Sequence, residues 1–149
     1  MVGGGQLARM THQAAIALGQ TLRVLAASKD DPAAQVTPDV VIGAHTDLDA
    51  LRRVAEGVDA LTFDHEHVPT ELLEKLVADG VNVAPPPSAL IHAQDKLVMR
   101  RRLEALGAPV PRFAEPEKIG VVVVGGEKNA YWFATDFGYL KSASIDRWK

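Results

Sequence analysis

The chain has 149 residues, of which 47% are hydrophobic and 23% are charged, a composition that is ordinary for a globular domain with a real core. Its formal net charge of -3 argues against a broad nucleic-acid-binding surface, because phosphate binding needs a basic excess. There is no cysteine, no apolar run near the roughly 20 residues that span a bilayer, and no signal-peptide pattern. We therefore expect a cytoplasmic protein with neither a membrane nor a nucleic-acid partner.

The opening stretch MVGGGQLARM places three glycines directly before a predicted helix. Apolar residues between Gln6 and Leu18 recur with helical spacing and form one helix face, and Gly19 ends the helix. Only Met1 and Val2 precede the glycines, where the first strand of a parallel sheet belongs. We therefore expect an N-terminal truncation or a wrongly chosen start, or else a sheet that has lost most of a middle strand.

The following residues alternate short strands with helices. Strands are predicted over 21–27, 40–42, 60–63 and 81–84. One helix is capped by Thr46 or Asp47 and runs to Glu56, where Gly57 ends it, and another covers 70–79. This alternation predicts right-handed βαβ units and an α/β fold with a doubly wound parallel sheet. We expect three segments: a Rossmann-like domain over 1–92, a linker helix and extended segment over 93–114, and a C-terminal extension of uncertain structure over 115–149.

The glycines lie where such a sheet binds its ligands, between a strand and the helix that follows it. Glycine tolerates positive φ and lets a ligand approach the backbone closely. The helix that follows presents unpaired N–H groups and the positive end of its dipole to an anion. The segment from Gly3 to Gln6 therefore predicts a cradle for a phosphate or a similar polar group, and a tight turn without a ligand is the alternative.

A dinucleotide site is a second interpretation of the same segment. Gly3, Gly5 and Ala8 fit the pattern G-x-G-x-x-A. That pattern expects an acidic residue at the end of the second strand, but the strand ends in AAS, and Asp30 and Asp31 follow only in a turn. An NAD-binding Rossmann domain of an oxidoreductase therefore stays an alternative hypothesis.

The stretch LTFDHEHVP, residues 61–69, follows a predicted strand and so lies at the ligand-binding rim. Alternating histidine and acid suggests a metal site, but His65 and His67 would point to opposite sides if the strand continued. We therefore expect no metal site. Glu66 is suited to bind a sugar hydroxyl or an amine, and the alternative is that Asp64 and Glu66 only cap the loop.

The third notable stretch covers residues 85–113. Ser88 is a candidate cap for a short helix, and Asp95 and Lys96 begin a longer helix that Gly107 ends. A lysine at a helix N-terminus is poorly placed for the helix dipole. Its ammonium group is therefore a candidate contact for nucleotide phosphates, with an ordinary surface lysine as the alternative.

Three stretches together resemble the N-terminal part of the 5-(carboxyamino)imidazole ribonucleotide synthase family, within the ATP-grasp superfamily: GGGQLARM (3–10), LTFDHEHVP (61–69) and QDKLVMRRRLEALGAPVPRF (94–113). The resemblance implies a pre-ATP-grasp domain. It also implies ATP-dependent carboxylation of 5-aminoimidazole ribonucleotide with bicarbonate in purine biosynthesis, ATP and Mg²⁺ as cofactors, and a possible homodimer. The ribonucleotide contacts that it implies are Gly4, Gly5, Gln6, Leu7 and Glu66, and the ATP contact is Lys96.

The resemblance stops near residue 114, before the portions of the family that bind ATP and carry catalysis. The tail predicts a buried strand over 121–124, and FGYLK at 137–141 only faintly matches the strand lysine of the family, at Lys141. No glycine-rich loop or set of magnesium ligands follows in the sequence. No catalytic residue is therefore assigned, and we expect the chain to be inactive alone. A catalytically silent structural remnant is a further hypothesis.

Overall fold

The computed structural model describes residues 1–111, 113, 133–135 and 138–140, and the chain divides into two compact units, Met1–Gln94 and Asp95–Lys149. The first unit contains α1 (Gln6–Ala17), β1 (Arg23–Ala26), β2 (Asp39–Ile42), α2 (Leu48–Ala55), α3 (Thr70–Ala78) and α4 (Pro87–Gln94). The second unit contains α5 (Lys96–Ala105), β3 (Phe133–Thr135) and β4 (Gly138–Leu140).

The strand segments of the first unit run parallel, with the N-terminus in the middle. β1 pairs with β2 along its whole length. Val2 bridges Leu25 on one side and Phe63 on the other, and Leu61 bridges Val83 beyond it, all in parallel. The two later predicted strands are therefore present as single-residue bridges. The predicted α/β fold with a parallel sheet is confirmed.

The first residues of the chain occupy the central strand position of the sheet, although only Met1 and Val2 precede the glycines. The Val2 N–H donates to the Thr62 carbonyl at 2.7 Å, and the Val2 carbonyl accepts from the Asp64 N–H at 3.0 Å. On the other side, the Leu25 N–H donates to the Met1 carbonyl at 2.8 Å. Hydrogen bonds on both sides fix this short segment. The glycine loop, which we define as Gly3 to Gly5, therefore leaves the sheet from its centre.

Alternating residues of β1 divide the core between the two faces of the sheet. Leu25 joins a large apolar cluster beneath α2, α3 and α4, whereas Val24 packs with Ala8 of α1 and with Ala33. Both faces are thus covered, as a doubly wound parallel sheet requires. The largest fully buried side chains of the unit include Leu51, Leu61, Leu73 and Leu76.

The helix α1 forms as predicted, but its apolar face points outward. Its buried residues are Ala8 and His12. By contrast, Leu7 is 60% exposed, Met10 54% and Leu18 75%. A small residue such as Ala8 allows the helix backbone to approach the sheet closely. The predicted apolar face is therefore not the face that meets the core. We call the exposed set Leu7, Met10 and Leu18 the α1 stripe.

Capping residues account for most of the helix boundaries. The Asp47 carboxylate accepts from the Asp49 N–H at 2.9 Å and begins α2, and Gly57 follows that helix with φ 69°. The prediction that Ser88 caps the next short helix is wrong, because α4 already begins at Pro87. The fixed φ of proline suits the first helical position.

The second unit begins with α5, as predicted. The Asp95 carboxylate accepts from the N–H groups of Leu97 and Val98 at 2.8 and 3.0 Å. β3 and β4 pair in antiparallel fashion. The strand predicted over 121–124 and the candidate Lys141 lie outside the described residues. None of the helices in the described part of the chain has the length and apolar character to cross a membrane.

Candidate functional site

The glycine loop opens into a cleft of about 220 Å³ in the first unit. The cleft is lined by Gly3 to Gly5, by Asp31 and His45 beyond the ends of β1 and β2, and by Asp64 and His65. All of these residues follow the carboxyl ends of parallel strands, where α/β folds bind their ligands. Sites that enclose a whole drug-sized ligand measure roughly 300–1,000 Å³. The cleft is therefore smaller than a site that encloses a whole ligand of that size.

Two carboxylates pack so closely against the glycine loop that a side chain has no room there. A Cβ added at Gly3 would lie 1.6 Å from Asp64 Oδ1, and one added at Gly4 would lie 2.7 Å from Asp31 Oδ2. Gly3 also has a φ of +116°, which side-chain-bearing residues rarely adopt. The glycines at positions 3 and 4 are thus required by neighbouring carboxylates of the same unit.

Asp64 is hydrogen-bonded to the glycine loop. Its side chain is 6% exposed, and its Oδ2 accepts from the Gly5 N–H at 3.2 Å. Its Oδ1 is buried without a hydrogen-bond partner among the described residues, with His65 Nε2 at 3.8 Å. The sequence singles out Glu66 as the rim carboxylate, and the structure adds Asp64 as the carboxylate that holds the loop.

The N-terminal turn of α1 begins beside the cleft, with unpaired amides. Gly5 is the N-cap residue, and the Arg9 N–H donates to the Gly5 carbonyl at 3.1 Å as the first bond of the helical pattern. The N–H groups of Gln6, Leu7 and Ala8 therefore have no acceptor within the helix. Gln6 and Leu7 are exposed residues, and unpaired amides at the positive end of a helix favour an anion.

Asp31 organises the turn after β1. Its Oδ2 accepts from the Ala27 N–H at 2.9 Å and from the Ser28 N–H at 3.3 Å. An acidic side chain therefore lies in space at the end of β1, the strand where the dinucleotide pattern expects one, although Asp31 follows that strand several residues later in the sequence. These two backbone bonds give Asp31 a structural role at the wall of the cleft.

Three histidine rings meet at the rim, because the chain bends after the strand position at Phe63. The ring centroids of His45 and His65 lie 5.0 Å apart, and those of His65 and His67 lie 5.2 Å apart. The His67 N–H also donates to His65 Nδ1 at 3.2 Å. The strand does not continue past Phe63, so the condition under which His65 and His67 would point to opposite sides is not met. In the described ranges, no group of three or more metal-ligating side chains could hold a metal ion.

Burial lowers the pKa of His45 below its ordinary value of 6.5, and the nearby His65 and His67 lower it further. The folded protein thus holds this proton less tightly than the unfolded chain, so protonation of His45 costs stability as the pH falls below 6.5. We expect an NMR titration of the His45 ring to have its midpoint below 6.5, and His65→Gln to move that midpoint upward. His92→Gln is the control, and an unchanged midpoint in His65→Gln would contradict the coupling.

Glu66 lies at the rim, next to the residues that line the cleft. Its side chain is 32% exposed, and its Oε1 lies 4.0 Å from His67 Nε2. Its backbone is held by Gln94, whose Nε2 donates to the Glu66 and Val68 carbonyls, each at 2.9 Å. Sequence reasoning missed Gln94, because a glutamine at the end of a helix gives no signal until the fold brings the loop to it.

The first unit contains all of the predicted ribonucleotide contacts: Gly4, Gly5, Gln6, Leu7 and Glu66. Gly4 and Gly5 line the cleft, while the other three lie at the start of α1 and on the rim. Lys96, the predicted ATP contact, is the exposed first residue of α5 in the second unit. Sequence reasoning did not identify Asp31 or His45 as cleft residues.

Comparison with known proteins finds one family along the first unit. Residues 1–94 match the family described as the ribonucleotide synthetase preATP-grasp domain. The N5-carboxyaminoimidazole ribonucleotide synthase of Mycobacterium leprae is 84% identical over 113 residues, which cover 76% of this chain and 26% of that protein. The enzyme of the same name from Corynebacterium ammoniagenes is 59% identical over 117 residues, which cover 78% of this chain and 28% of that protein.

A solved structure agrees with these relatives. The N5-carboxyaminoimidazole synthase of Aspergillus clavatus, in complex with ADP and 5-aminoimidazole ribonucleotide, matches with a TM-score of 0.67 and 31% identity. The match covers 75% of this chain and 31% of that one. The chain thus spans between a quarter and a third of the length of these three relatives.

Proposed function

The chain belongs to the ribonucleotide synthetase preATP-grasp domain family, and from that membership we propose that it forms the ribonucleotide-binding part of an N5-carboxyaminoimidazole ribonucleotide synthase. The whole enzyme would carboxylate 5-aminoimidazole ribonucleotide with bicarbonate and ATP in purine biosynthesis. Because the chain spans only part of its relatives' length, its own proposed role is to bind and orient the ribonucleotide. We expect no turnover from this chain alone.

One observation carries the proposal: the positive end of α1 opens at the carboxyl edge of the parallel sheet, beside the cleft. The amides of Gln6 and Leu7 would donate hydrogen bonds to the 5′-phosphate, because they have no acceptor within the helix and belong to exposed residues. The Gly5 amide is already bonded to Asp64. The glycine loop would thus place the helix end, while the first helical turn would bind the anion.

The charges of the site set the orientation of the ligand. A phosphate close to the Asp64 carboxylate would be repelled, since like charges are destabilising in a partly buried site. The phosphate therefore lies over the Gln6 and Leu7 amides, and the sugar and base extend toward the rim. There, the Glu66 carboxylate would accept a hydrogen bond from a sugar hydroxyl or from the amine.

The described residues fit ATP and Mg²⁺ only in part. Lys96 is a candidate phosphate contact, and the described segments contain no group of three or more side chains that could hold a metal ion. When bound, ATP supplies the phosphoryl group that activates bicarbonate, and Mg²⁺ neutralises the phosphate charges. Beyond ribonucleotide binding, no chemical step is assigned to residues of this chain.

The proposed reaction also suggests partners and a location. Its small-molecule partners are 5-aminoimidazole ribonucleotide and bicarbonate, and a cytoplasmic location is proposed because purine precursors and ATP are available there. The α1 stripe is an exposed apolar surface of the kind that often marks an association site. A homodimer is the association that we propose for it.

Calorimetric titration of the chain tests the proposed function. We expect 5-aminoimidazole ribonucleotide to bind, and the riboside without the phosphate to bind at least about tenfold more weakly, because it lacks the anion to which the α1 amides would donate. NADH should give no binding signal. Absence of ribonucleotide binding would contradict the proposal and favour a silent remnant, and binding of NADH alone would favour the oxidoreductase hypothesis.

A further inference from the structure

Gln94 ties α4 to the loop that carries Glu66. Its Oε1 accepts from Thr70 Oγ1 at 2.9 Å, and its Nε2 donates to the Glu66 and Val68 carbonyls, each at 2.9 Å. We propose that Gln94 is a positioning residue for ligand binding, which fixes the backbone around Glu66 and thereby the direction of the Glu66 carboxylate. This inference deepens the proposed function and rests on it.

The chemistry of the three bonds explains why a glutamine stands at this position. Two backbone carbonyls need two N–H donors, and the Thr70 hydroxyl needs one acceptor. A primary amide supplies two donors and an acceptor on one planar group. An ionised glutamate has the same shape but no N–H donor, and methionine has neither the N–H donors nor the oxygen acceptor. Gln94 is half-buried, so the loss of its amide would leave carbonyls in a site with limited access to water.

The loop depends on such bonds, because it has no strand partner of its own between Asp64 and Thr70. It is anchored at its start by the Asp64 N–H, which donates to the Val2 carbonyl at 3.0 Å, and at Val68, whose side chain is 0% exposed. Glu66 lies between these anchors. Backbone polar groups in an irregular segment must be satisfied by side chains or water. The Gln94 amide satisfies the carbonyl of Glu66 itself and that of Val68, two residues further on.

A double-mutant cycle tests whether Gln94 acts through Glu66. We would titrate the full chain with 5-aminoimidazole ribonucleotide for the wild type, Gln94→Met, Glu66→Gln and the double variant. Gln94→Met should weaken binding about tenfold when Glu66 is present and less than about twofold in the Glu66→Gln background. The exposed Gln20→Met is the matched control and should leave the affinity unchanged.

Equal weakening in both backgrounds would overturn the inference, because Gln94 would then affect binding by another route. Should Gln94→Met fail to fold, Thr70→Val removes only one of the three bonds. It should show the same coupling to Glu66 with a smaller loss of affinity. Thr70→Ser keeps the hydroxyl and should bind the ribonucleotide with the affinity of the wild type. A wild-type chain that binds no ribonucleotide overturns the proposed function and this inference together. If the wild-type chain binds the ribonucleotide but the losses of binding free energy in the two single variants simply add in the double variant, the inference alone is overturned.

Discussion

Gly3→Ala should lower the free energy of unfolding by about 3 kcal/mol, because the new methyl group would overlap a buried carboxylate. The added Cβ would lie 1.6 Å from Asp64 Oδ1 and 2.1 Å from its Cγ. The carboxylate cannot move aside without loss of its hydrogen bond from Gly5. The φ of +116° at Gly3 adds backbone strain. Urea-induced unfolding measures the effect.

Gly80→Ala is the matched control for this prediction. Gly80 also has a positive φ, +88°, but a Cβ at this position would meet nothing within 4 Å. The loss of unfolding free energy in Gly80→Ala should therefore be limited to the backbone strain of a left-handed residue, about 1–2 kcal/mol. Equal losses of stability in the two variants would show that Asp64 does not pack against Gly3 as described.

Asp64→Ala should weaken the binding of 5-aminoimidazole ribonucleotide at least about tenfold, which corresponds to about 1.4 kcal/mol. The substitution leaves the Gly5 N–H without its acceptor and opens a cavity beneath Gly3, since the Asp64 side chain is 6% exposed. The glycine loop and the first turn of α1 would then lose their fixed positions. Calorimetric titration measures the loss of affinity.

Asp64→Asn separates the geometry of the loop from its charge. The amide has the same shape, and its single carbonyl oxygen can still accept from the Gly5 N–H. It also removes a negative charge beside the proposed phosphate site, so the affinity should be equal to that of the wild type or higher. Asp59→Ala, at an exposed aspartate, is the control. Equal losses in Asp64→Asn and Asp64→Ala would contradict the positioning role of Asp64.

Local signals were sufficient to predict the presence of the helices, although not the N-terminus of α4. Asp47 and Asp95 each cap a helix with their carboxylates, and Gly57 follows α2 with a positive φ. These signals act within a few residues of one another and need no tertiary contact. The alternation of strands with helices then sufficed for the doubly wound parallel sheet, because few chain topologies satisfy that order.

Contacts between distant segments could not be predicted in the same way. The bond from Gly5 to Asp64 joins residues 59 positions apart, and that from Gln94 to Glu66 joins residues 28 apart. Such contacts depend on where the finished fold places each loop. The orientation of α1 was equally unpredictable, because the helix buries Ala8 and His12 while its large apolar residues stay exposed.

The most direct test of the central claim is to follow the backbone amide signals of the chain by NMR during titration with 5-aminoimidazole ribonucleotide. The largest shifts are expected at Gln6 and Leu7, and they should saturate with the dissociation constant found by calorimetry. The riboside without the phosphate should leave these two amides nearly unchanged. Saturating shifts elsewhere in the chain, with Gln6 and Leu7 unaffected by the ribonucleotide, would contradict the claim that the first turn of α1 binds the phosphate.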